Sequence, residues 1–166
     1  MALSRASRRG WLRLGALVMP CALGRSGSRV MKREGDGATP IGRYAIRALL
    51  YRPDRGVPAP SWLPRRALGR RHGWSDDPCD RNYNRPVRRP YPASAEELWR
   101  NDRLYDHVIV IDHNERPRIR GHGSAVFMHV ARPDMAPTAG CVALKPSDMR
   151  RLLARLRRPA ELVIRF

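Results

Sequence analysis

Cys141 is the residue whose type and surroundings point most directly to chemistry. It follows Gly140 in the stretch P-T-A-G-C-V-A-L-K-P, just before a segment that predicts a helix. Cysteine catalysis needs a thiolate, a base or cation to generate it, and backbone donors where charge develops on the attacked carbonyl. A lone cysteine commonly serves as a small buried side chain, so the functional interpretation depends on what lies near it.

His129 is the candidate base for this thiol. It follows the apolar run S-A-V-F-M, and the loop A-R-P-D-M-A-P-T-A-G leads on to Cys141. Such a loop can bring its two ends together, and Gly140 permits a backbone turn that a side chain would block. Spacing alone leaves two alternatives open. One is a packed histidine and cysteine with no function, and the other is a zinc site formed by His122, His129 and Cys141.

The charge of the chain indicates partners that carry negative charge. Its 166 residues have a formal net charge of +18, and of the 33 basic residues only Lys32 and Lys145 are lysines. Such a charge attracts nucleic acid, acidic membrane surfaces or anionic wall polymers. The arginines are spread from Arg5 to Arg165 rather than gathered in one tract, which argues against a specific nucleic-acid-binding function.

The spacing of the cysteines and the hydropathy argue against disulfide-rich, cysteine-zinc and membrane-spanning proteins. Cys21, Cys79 and Cys141 form no closely spaced pair, and an odd number leaves one thiol unpaired, so a disulfide framework or a cysteine zinc site is not expected. We interpret Cys21 and Cys79 as bystanders. No apolar run approaches the roughly 20 residues of a membrane span.

The N-terminal segment has two interpretations. S-R-R-G-W-L-R, followed by a short apolar stretch, loosely resembles a twin-arginine export signal. The apolar stretch is broken by Gly15 and ends without a convincing small-x-small cleavage site. We therefore favour a strand or hairpin from Trp11 to Leu23 that opens the domain, with residues 1–10 as a segment prone to disorder.

The remaining patterns predict a mainly β domain with two or three short helices, an α+β chain in one domain spanning residues 1–166. Strands are expected at R-Y-A-I-R-A-L-L-Y, at Y-D-H-V-I-V-I-D-H, from Ser124 to Val130, and at the closing E-L-V-I-R-F. Residues 52–91 hold most of the prolines and many arginines and predict a long insertion or lid within the domain.

Two segments predict helices. Pro146 suits a first helical position, and apolar residues recur after it at helical spacing from Met149 to Leu156. Ser94 and Glu97 form a capping-box pattern, which predicts a short helix over A-E-E-L-W-R-N-D.

The stretch G-H-G-S-A-V-F-M-H-V-A-R-P-D-M-A-P-T-A-G-C-V-A-L, residues 121–144, resembles the active-site segment of the L,D-transpeptidase catalytic domain, or YkuD domain. The branch it resembles has the signature G-S-A-[IV]-F-[LM]-H, then T-x-G-C-V-A-L. Three other segments resemble the same branch: K-R-E-G-D-G-A-T-P-I-G, G-W-S-D-D-P and Y-N-R-P-V. The resemblance runs from about Pro20 to Phe166 and implies a single-domain β-sandwich or barrel of the YkuD type.

The resemblance also implies roles for individual residues. The family's nucleophile falls on Cys141, its catalytic histidine on His129 and its preceding glycine on Gly140, with His122 as a competing base. Two positions depart from the commoner S-H-G-C-[IV]-R form, because Ala139 stands in place of histidine and Ala143 in place of arginine.

The substrate-binding residues are less well defined by this pattern. Arg132 is a candidate to replace the missing arginine that recognises a substrate carboxylate. The other candidates are Thr138, His122, Trp74 and Tyr83.

The implied reaction is acyl transfer on peptidoglycan stem peptides. Cys141 would attack a tetrapeptide donor, release D-alanine and form a thioester, which an amine of a second stem peptide resolves to a 3-3 cross-link. Water in place of the amine would make the protein an L,D-carboxypeptidase. No metal or other cofactor is expected, and a carbapenem should acylate Cys141.

The expected setting follows from that substrate. We expect the protein to be a monomer in the cell envelope or periplasm, with no transmembrane segment. We also expect electrostatic contact with anionic envelope surfaces. The rival interpretation is a non-catalytic basic module that binds cell-wall polymer or nucleic acid.

Overall fold

The computed structural model describes residues 4–58 and 60–165. Within these ranges the chain forms thirteen strands, a 3-10 turn at Pro53–Arg55 and one α-helix. In chain order the elements are β1 Arg9–Leu14, β2 Leu17–Ala22, β3 Ser28–Arg29, β4 Thr39–Pro40, β5 Gly42–Tyr51, β6 Arg65–Ala67, β7 His72–Ser75, β8 Pro86–Arg88, β9 Ala95–Glu97, β10 His107–Ile111, β11 Phe127–Val130, β12 Val142–Leu144, α1 Pro146–Arg155 and β13 Glu161–Ile164.

The largest sheet has eight strands in the order β1-β2-β12-β11-β10-β5-β13, with β6 paired beside β5. Its pairs are antiparallel except β11 with β12 and β5 with β6. Two small sheets complete the fold, one of β3 and β4 and the other in the order β8-β7-β9. The predicted mainly β architecture is therefore confirmed.

Alternate residues of the central strands pack on opposite faces of the large sheet, as the pleat requires. Ile109 and Met128 join one core cluster, which also holds the apolar residues of α1. Val108 and Phe127 join a second cluster, and Cys141 belongs to that second cluster. Cys141 thus packs on the face of the sheet opposite α1.

The helix α1 forms where the sequence predicts it. Pro146 occupies its first turn, where a missing N–H costs nothing, and Met149, Leu152 and Leu153 are fully or almost fully buried against the sheet. The arginines of α1 lie on its exposed side. Packing of this apolar stripe, rather than helix propensity, stabilises so short a helix.

Several predicted strands are confirmed. The opening hairpin is β1 with β2, and β5, β10 and β13 lie within the predicted segments. The strand predicted from Ser124 is shorter and begins at Phe127. Phe166, the last residue of the predicted closing strand, lies outside the described residues.

The helix predicted over A-E-E-L-W-R-N-D is wrong, because Ala95–Glu97 form β9 and residues 98–102 are not helical. Glu96 pairs with Trp74 and Ala95 with Ser75 across the small sheet, and Asp76 N–H donates to the Ser94 carbonyl at 3.3 Å. These non-local backbone hydrogen bonds override the local capping pattern. Glu97, the predicted capping residue, lies in β9 instead, and its neighbour Glu96 lines the cavity described below.

The segment predicted as a lid, residues 52–91, contains regular structure in the form of β6, β7 and β8. At the other end of the chain, residues 1–3 of the segment predicted as disordered lie outside the described residues. From Ser4 onward the chain is described, and Ser7 N–H donates to the Ser4 carbonyl at 2.9 Å in a turn that leads into β1. No helix within the described ranges is long and apolar enough to cross a bilayer.

Candidate active site

The parallel pair β11 and β12 brings His129 and Cys141 to one cavity. His129 lies in β11 opposite Ala143 of β12, and Cys141 immediately precedes β12. The Phe127 N–H donates to Cys141 Sγ at 3.3 Å, which fixes the end of one strand against the start of the other. Both His129 and Cys141 line the same cavity of about 430 Å³.

The Cys141 thiol is buried and held by backbone groups. Its S–H donates to the Ala125 carbonyl at 3.3 Å, while Sγ accepts from Phe127. Burial raises the pKa of the Cys141 thiol to about 12. The thiol is therefore neutral at physiological pH.

A backbone hydrogen bond orients the His129 imidazole. Its Nδ1–H donates to the Val130 carbonyl at 2.8 Å, which assigns the tautomer that leaves Nε2 unprotonated. Burial lowers the pKa of the His129 imidazole to about 4. The His129 imidazole is therefore neutral at neutral pH, as is the Cys141 thiol.

Gly140 makes the turn that presents Cys141. Its φ is +140°, and a Cβ added there would lie 2.9 Å from the Ala38 carbonyl oxygen. Both the backbone conformation and this close approach require glycine. The predicted turn is present, and the residue that packs against it comes from a distant part of the chain.

Thr138 braces the same turn from within. Its hydroxyl donates to the Cys141 carbonyl at 2.7 Å and accepts from the Gly140 N–H at 3.0 Å. The hydroxyl is engaged both as donor and as acceptor, so Thr138 braces the backbone at Cys141 rather than offering a free group to a ligand. The Gly140 N–H is engaged as well.

The loop from Lys32 to Ala38 covers the Gly140 turn. The buried Lys32 ammonium pairs with Asp36 at 2.5 Å, and the Asp36 carboxylate accepts from the N–H groups of Arg33 and Ala38. Burial opposes the ionised form of Asp36, but the hydrogen bonds and the charge of Lys32 outweigh it and lower its pKa. The loop is therefore internally braced where it meets the turn.

Glu34 ties this loop to two other segments of the site. Its Oε2 accepts from the Tyr83 hydroxyl at 2.5 Å and from the Ser124 hydroxyl at 2.7 Å. Desolvation and the Glu34 carboxylate together raise the pKa of Tyr83. Three segments far apart in the sequence are thereby joined beside the cavity.

On another wall of the cavity, Glu96, Arg100 and Tyr105 form a connected group. The Tyr105 hydroxyl donates to Glu96 Oε1 at 3.0 Å, and Arg100 approaches the same oxygen at 3.4 Å and also pairs with Asp102. Burial raises the pKa of Glu96. The Tyr105 ring in turn packs edge-on against the His129 imidazole, with the ring centroids 5.3 Å apart.

The cavity lining carries charges of both signs. Its cationic side chains are Arg25, Lys32, Arg100 and Arg132. Its acidic side chains are Glu34, Asp76 and Glu96. A lining of this kind suits a zwitterionic ligand that carries both carboxylate and ammonium groups.

The structure brings some of the predicted residues to the cavity and leaves others outside it. Arg132 and Thr138 line it together with His129, Gly140 and Cys141. The other three candidates, His122, Trp74 and Tyr83, are not part of its lining.

Each of those three residues has a structural reason for its place. Tyr83 is buried and its hydroxyl is bound to Glu34. The Trp74 ring packs against Phe127, with its N–H donating to Asn84 at 2.8 Å. His122 is exposed, and its carbonyl accepts from the His113 ring at 3.0 Å.

A metal centre is not assembled from these residues. Within residues 4–58 and 60–165 no three side chains among histidine, cysteine, aspartate and glutamate are grouped so as to hold a metal ion. The alternative set of His122, His129 and Cys141 is not gathered, because His122 lies outside the cavity.

Comparison with known families agrees with this geometry. The model described as YkuD, L,D-transpeptidase catalytic domain, matches residues 3–164, which is nearly the whole chain. The chain belongs to this family. Among curated proteins and among solved structures, no match was found. As an L,D-transpeptidase domain, the chain is of a type that acts on cell-wall peptidoglycan.

Several residues of this L,D-transpeptidase site were missed at the level of sequence. Lys32 and Glu34 lie in a segment that resembles the family but carries no catalytic residue type in a recognisable pattern. Glu96, Arg100 and Tyr105 lie in a segment that indicated a helix. The clearest available signal was the cluster of charged and aromatic side chains in E-E-L-W-R-N-D-R-L-Y.

Proposed function

We propose that this chain is a cysteine-dependent peptidoglycan L,D-transpeptidase, with Cys141 as nucleophile and His129 as general base and acid. The observation that carries the proposal is the shared cavity of the two side chains, with His129 Nδ1 bound to the Val130 carbonyl so that Nε2 is the free acceptor. The family match over residues 3–164 supports the same substrate class.

The first half-reaction is acylation. The Cys141 thiol gives its proton to His129 Nε2 as Sγ attacks the carbonyl of the third residue of a tetrapeptide donor. The amide bond to terminal D-alanine then breaks, and the leaving amine takes the proton from His129. D-alanine leaves and a thioester to Cys141 remains.

The negative charge that develops on the carbonyl oxygen needs a donor near the Gly140 turn. The Gly140 N–H is already bound to Thr138 Oγ1. The Cys141 N–H is therefore the better candidate donor for the oxyanion, and the rigid turn would hold it in place before the substrate arrives.

The second half-reaction resolves the thioester. An amine of a second stem peptide loses a proton to His129 and attacks the thioester carbonyl, which gives a 3-3 cross-link and restores the thiol. If water attacks instead, the product is a tripeptide and the protein is an L,D-carboxypeptidase with the same site.

Substrate carboxylate recognition is assigned to Arg132. The commoner motif has arginine at the position of Ala143, and here Ala143 packs in a small cluster with Ala22, Ala131 and Met135. Arg132 is exposed and lines the cavity, so its guanidinium can reach a bound carboxylate. Arg25 lies in the same lining and is a second cation for this role.

The proposed reaction needs no metal or other cofactor. From its substrate we infer that the protein acts in the cell envelope or periplasm. We propose that it acts there as a monomer. Its charge of +18 favours contact with anionic envelope surfaces.

The direct test is product analysis with reduced protein, a tetrapeptide donor and an acceptor stem peptide. We expect D-alanine release and a cross-linked dimer of the mass and fragmentation of a 3-3 product. Cys141→Ala should give neither, and the buried but distant Cys21→Ala should give both. D-alanine with tripeptide and no dimer would indicate the carboxypeptidase. No D-alanine and no dimer from folded wild type would contradict the proposal.

The salt dependence of binding and of acylation distinguishes the non-catalytic alternative from the enzyme. Binding of a polyanion should weaken steeply between about 50 and 200 mM salt. Acylation of Cys141 should not depend on this attraction to the same degree, because it is governed by the buried thiol and imidazole.

A further inference from the structure

Tyr105 lies between the candidate base and the partly buried carboxylate of Glu96. Its ring meets the His129 imidazole edge-on, with an interplanar angle of 72°, and it also contacts Phe127 in the same arrangement. Tyr105 is buried, lines the cavity and belongs to the same apolar cluster as Cys141. Edge-on packing of this kind favours one ring orientation over others.

The ring of Tyr105 is itself fixed from behind. Its hydroxyl donates to Glu96, and the Arg100 guanidinium lies 5.2 Å from its ring centroid while pairing with both Glu96 and Asp102. The backbone next to it is also held, since the Val130 N–H donates to the Leu104 carbonyl at 3.0 Å. The ring therefore has little freedom to move away from His129.

The Nδ1 hydrogen bond to Val130 leaves one degree of freedom for His129, which is the tilt of the imidazole about that bond. A second contact is needed to aim Nε2, as buried catalytic histidines are commonly held by their surroundings as well as by one hydrogen bond. We propose that Tyr105 is a positioning residue of this site, whose ring, fixed by Glu96 and Arg100, holds the His129 imidazole so that Nε2 faces the Cys141 thiol. This inference rests on the proposed acylation of Cys141.

The pH dependence of acylation reports this role directly. The charged groups that face His129 are Arg100 and Asp102, from the segment before β10, and Arg132, from the loop after β11. The neutral titratable neighbours are Tyr105 and Cys141. Burial is the largest cause of the lowered pKa of His129, so loss of the Tyr105 ring should admit water and move that pKa upward toward 6.5.

The chain offers a matched control in Tyr44. The Tyr44 ring packs edge-on against His113 with centroids 5.4 Å apart, and its hydroxyl donates to the Ile41 carbonyl at 3.1 Å. This pair is also partly buried, but neither member lines the cavity of Cys141. Removing the Tyr44 ring should therefore cost stability without changing the chemistry.

The experiment measures the rate of acylation by meropenem, a carbapenem, from about pH 4 to about pH 8 by intact mass. For Tyr105→Leu we expect the rate to fall about tenfold or more and the acid midpoint to rise by about one pH unit. Tyr105→Phe keeps the ring and should stay within about fivefold of wild type, with the wild-type midpoint. Tyr44→Leu should change neither the rate nor the midpoint.

The outcomes separate this inference from the proposed function. If wild type is not acylated at all, the proposed function fails. If wild type is acylated and folded Tyr105→Leu has the same rate and the same midpoint, the positioning role is overturned and the function stands. Should Tyr105→Leu not fold, Tyr105→Met, which fills similar space without an aromatic edge, is measured in its place against the same two criteria.

Discussion

Cys21 and Cys141 are both buried and both unpaired, yet only Cys141 lines the cavity that His129 also lines. Burial raises the pKa of Cys21 to about 11 and that of Cys141 to about 12. Thiol acidity alone therefore favours neither Cys21 nor Cys141 as the reactive residue. Acidity in the resting protein therefore does not identify the nucleophile.

The surroundings of the two thiols differ in three respects. Cys21 lies within β2, between β1 and β12, and packs in the main apolar core. Cys141 lines a cavity, shares it with an oriented histidine and follows a glycine with positive φ. The surroundings of Cys141 therefore add access to a cavity, a neutral imidazole and a rigid turn. Each of these three features can be removed separately.

Removal of the base gives the largest expected effect. His129→Ala should lower the rate of donor acylation by about 10²- to 10⁴-fold, because general base assistance is lost while the thiol keeps its high pKa. The measurement is D-alanine release under conditions where wild type is saturated. His113→Ala is the control, since His113 is partly buried and its ring is bound to a backbone carbonyl, but it lies outside this cavity. A small effect of His129→Ala would show that Cys141 does not depend on this base.

Removal of the turn comes next. In Gly140→Ala the new Cβ meets the Ala38 carbonyl and the backbone conformation becomes strained, at a cost of about 1–3 kcal/mol. We expect a lower melting temperature and a loss of acylation on the order of 100-fold, because the thiol and its amide shift. Gly15→Ala has positive φ and open space, so it should share a backbone penalty without the loss of acylation. Equal acylation in Gly140→Ala and wild type would contradict the role of the turn.

The pH dependence sharpens the comparison further. Because the lowered pKa of His129 is about 4, its neutral form dominates at every pH above that value. The acid limb of kcat/KM should therefore lie near pH 4, and activity should be flat from about pH 5 to about pH 8. A midpoint near the ordinary histidine value of 6.5 would mean that the imidazole is more hydrated than its burial indicates.

Unassisted alkylation separates the two thiols by access. Iodoacetamide reacts with the thiolate, so modification of Cys141 should be slow at neutral pH and rise about tenfold per pH unit below its pKa. Cys79 is exposed and should react first, whereas Cys21 should resist until the protein unfolds. Peptide mapping after timed labelling gives the order. Labelling of Cys21 before Cys141 in folded protein would reverse the comparison.

Cys21→Ala is the smallest expected change. It removes a core side chain that contacts its strand neighbours and should cost about 1 kcal/mol in the free energy of unfolding. Acylation of Cys141 should be unchanged within about twofold, as expected for sites without shared partners. Thermal or urea unfolding measures the first effect and carbapenem acylation measures the second.

The parts of this fold that follow from local sequence pattern could be predicted. β10 is a run of β-branched residues followed by a turn signal, and α1 has apolar residues at helical spacing. The strand at Ala95–Glu97 could not be predicted, because it exists only through its pairing with β7. Local capping chemistry pointed to a helix there, and non-local hydrogen bonds decided the outcome.

The candidate site was predictable in part for the same reason. Gly140 predicts a turn, and the resemblance to a known family implies that Cys141 and His129 belong to one site. The contact of Gly140 with Ala38, and of His129 with Tyr105, joins segments that are far apart in the sequence. Trp74 and Tyr83 are aromatic residues of a type that can line a substrate groove. In the fold, however, Trp74 packs against Phe127 and Tyr83 is buried.

Among the three free cysteines, Cys141 is the proposed acylated nucleophile. The most direct measurement is the intact mass of wild type, Cys141→Ala and Cys21→Ala after incubation with a carbapenem, followed by peptide mapping of any adduct. We predict one adduct on wild type and on Cys21→Ala, located at Cys141, and none on Cys141→Ala. An adduct that persists in Cys141→Ala, or folded and reduced wild type that gains none, would contradict the account.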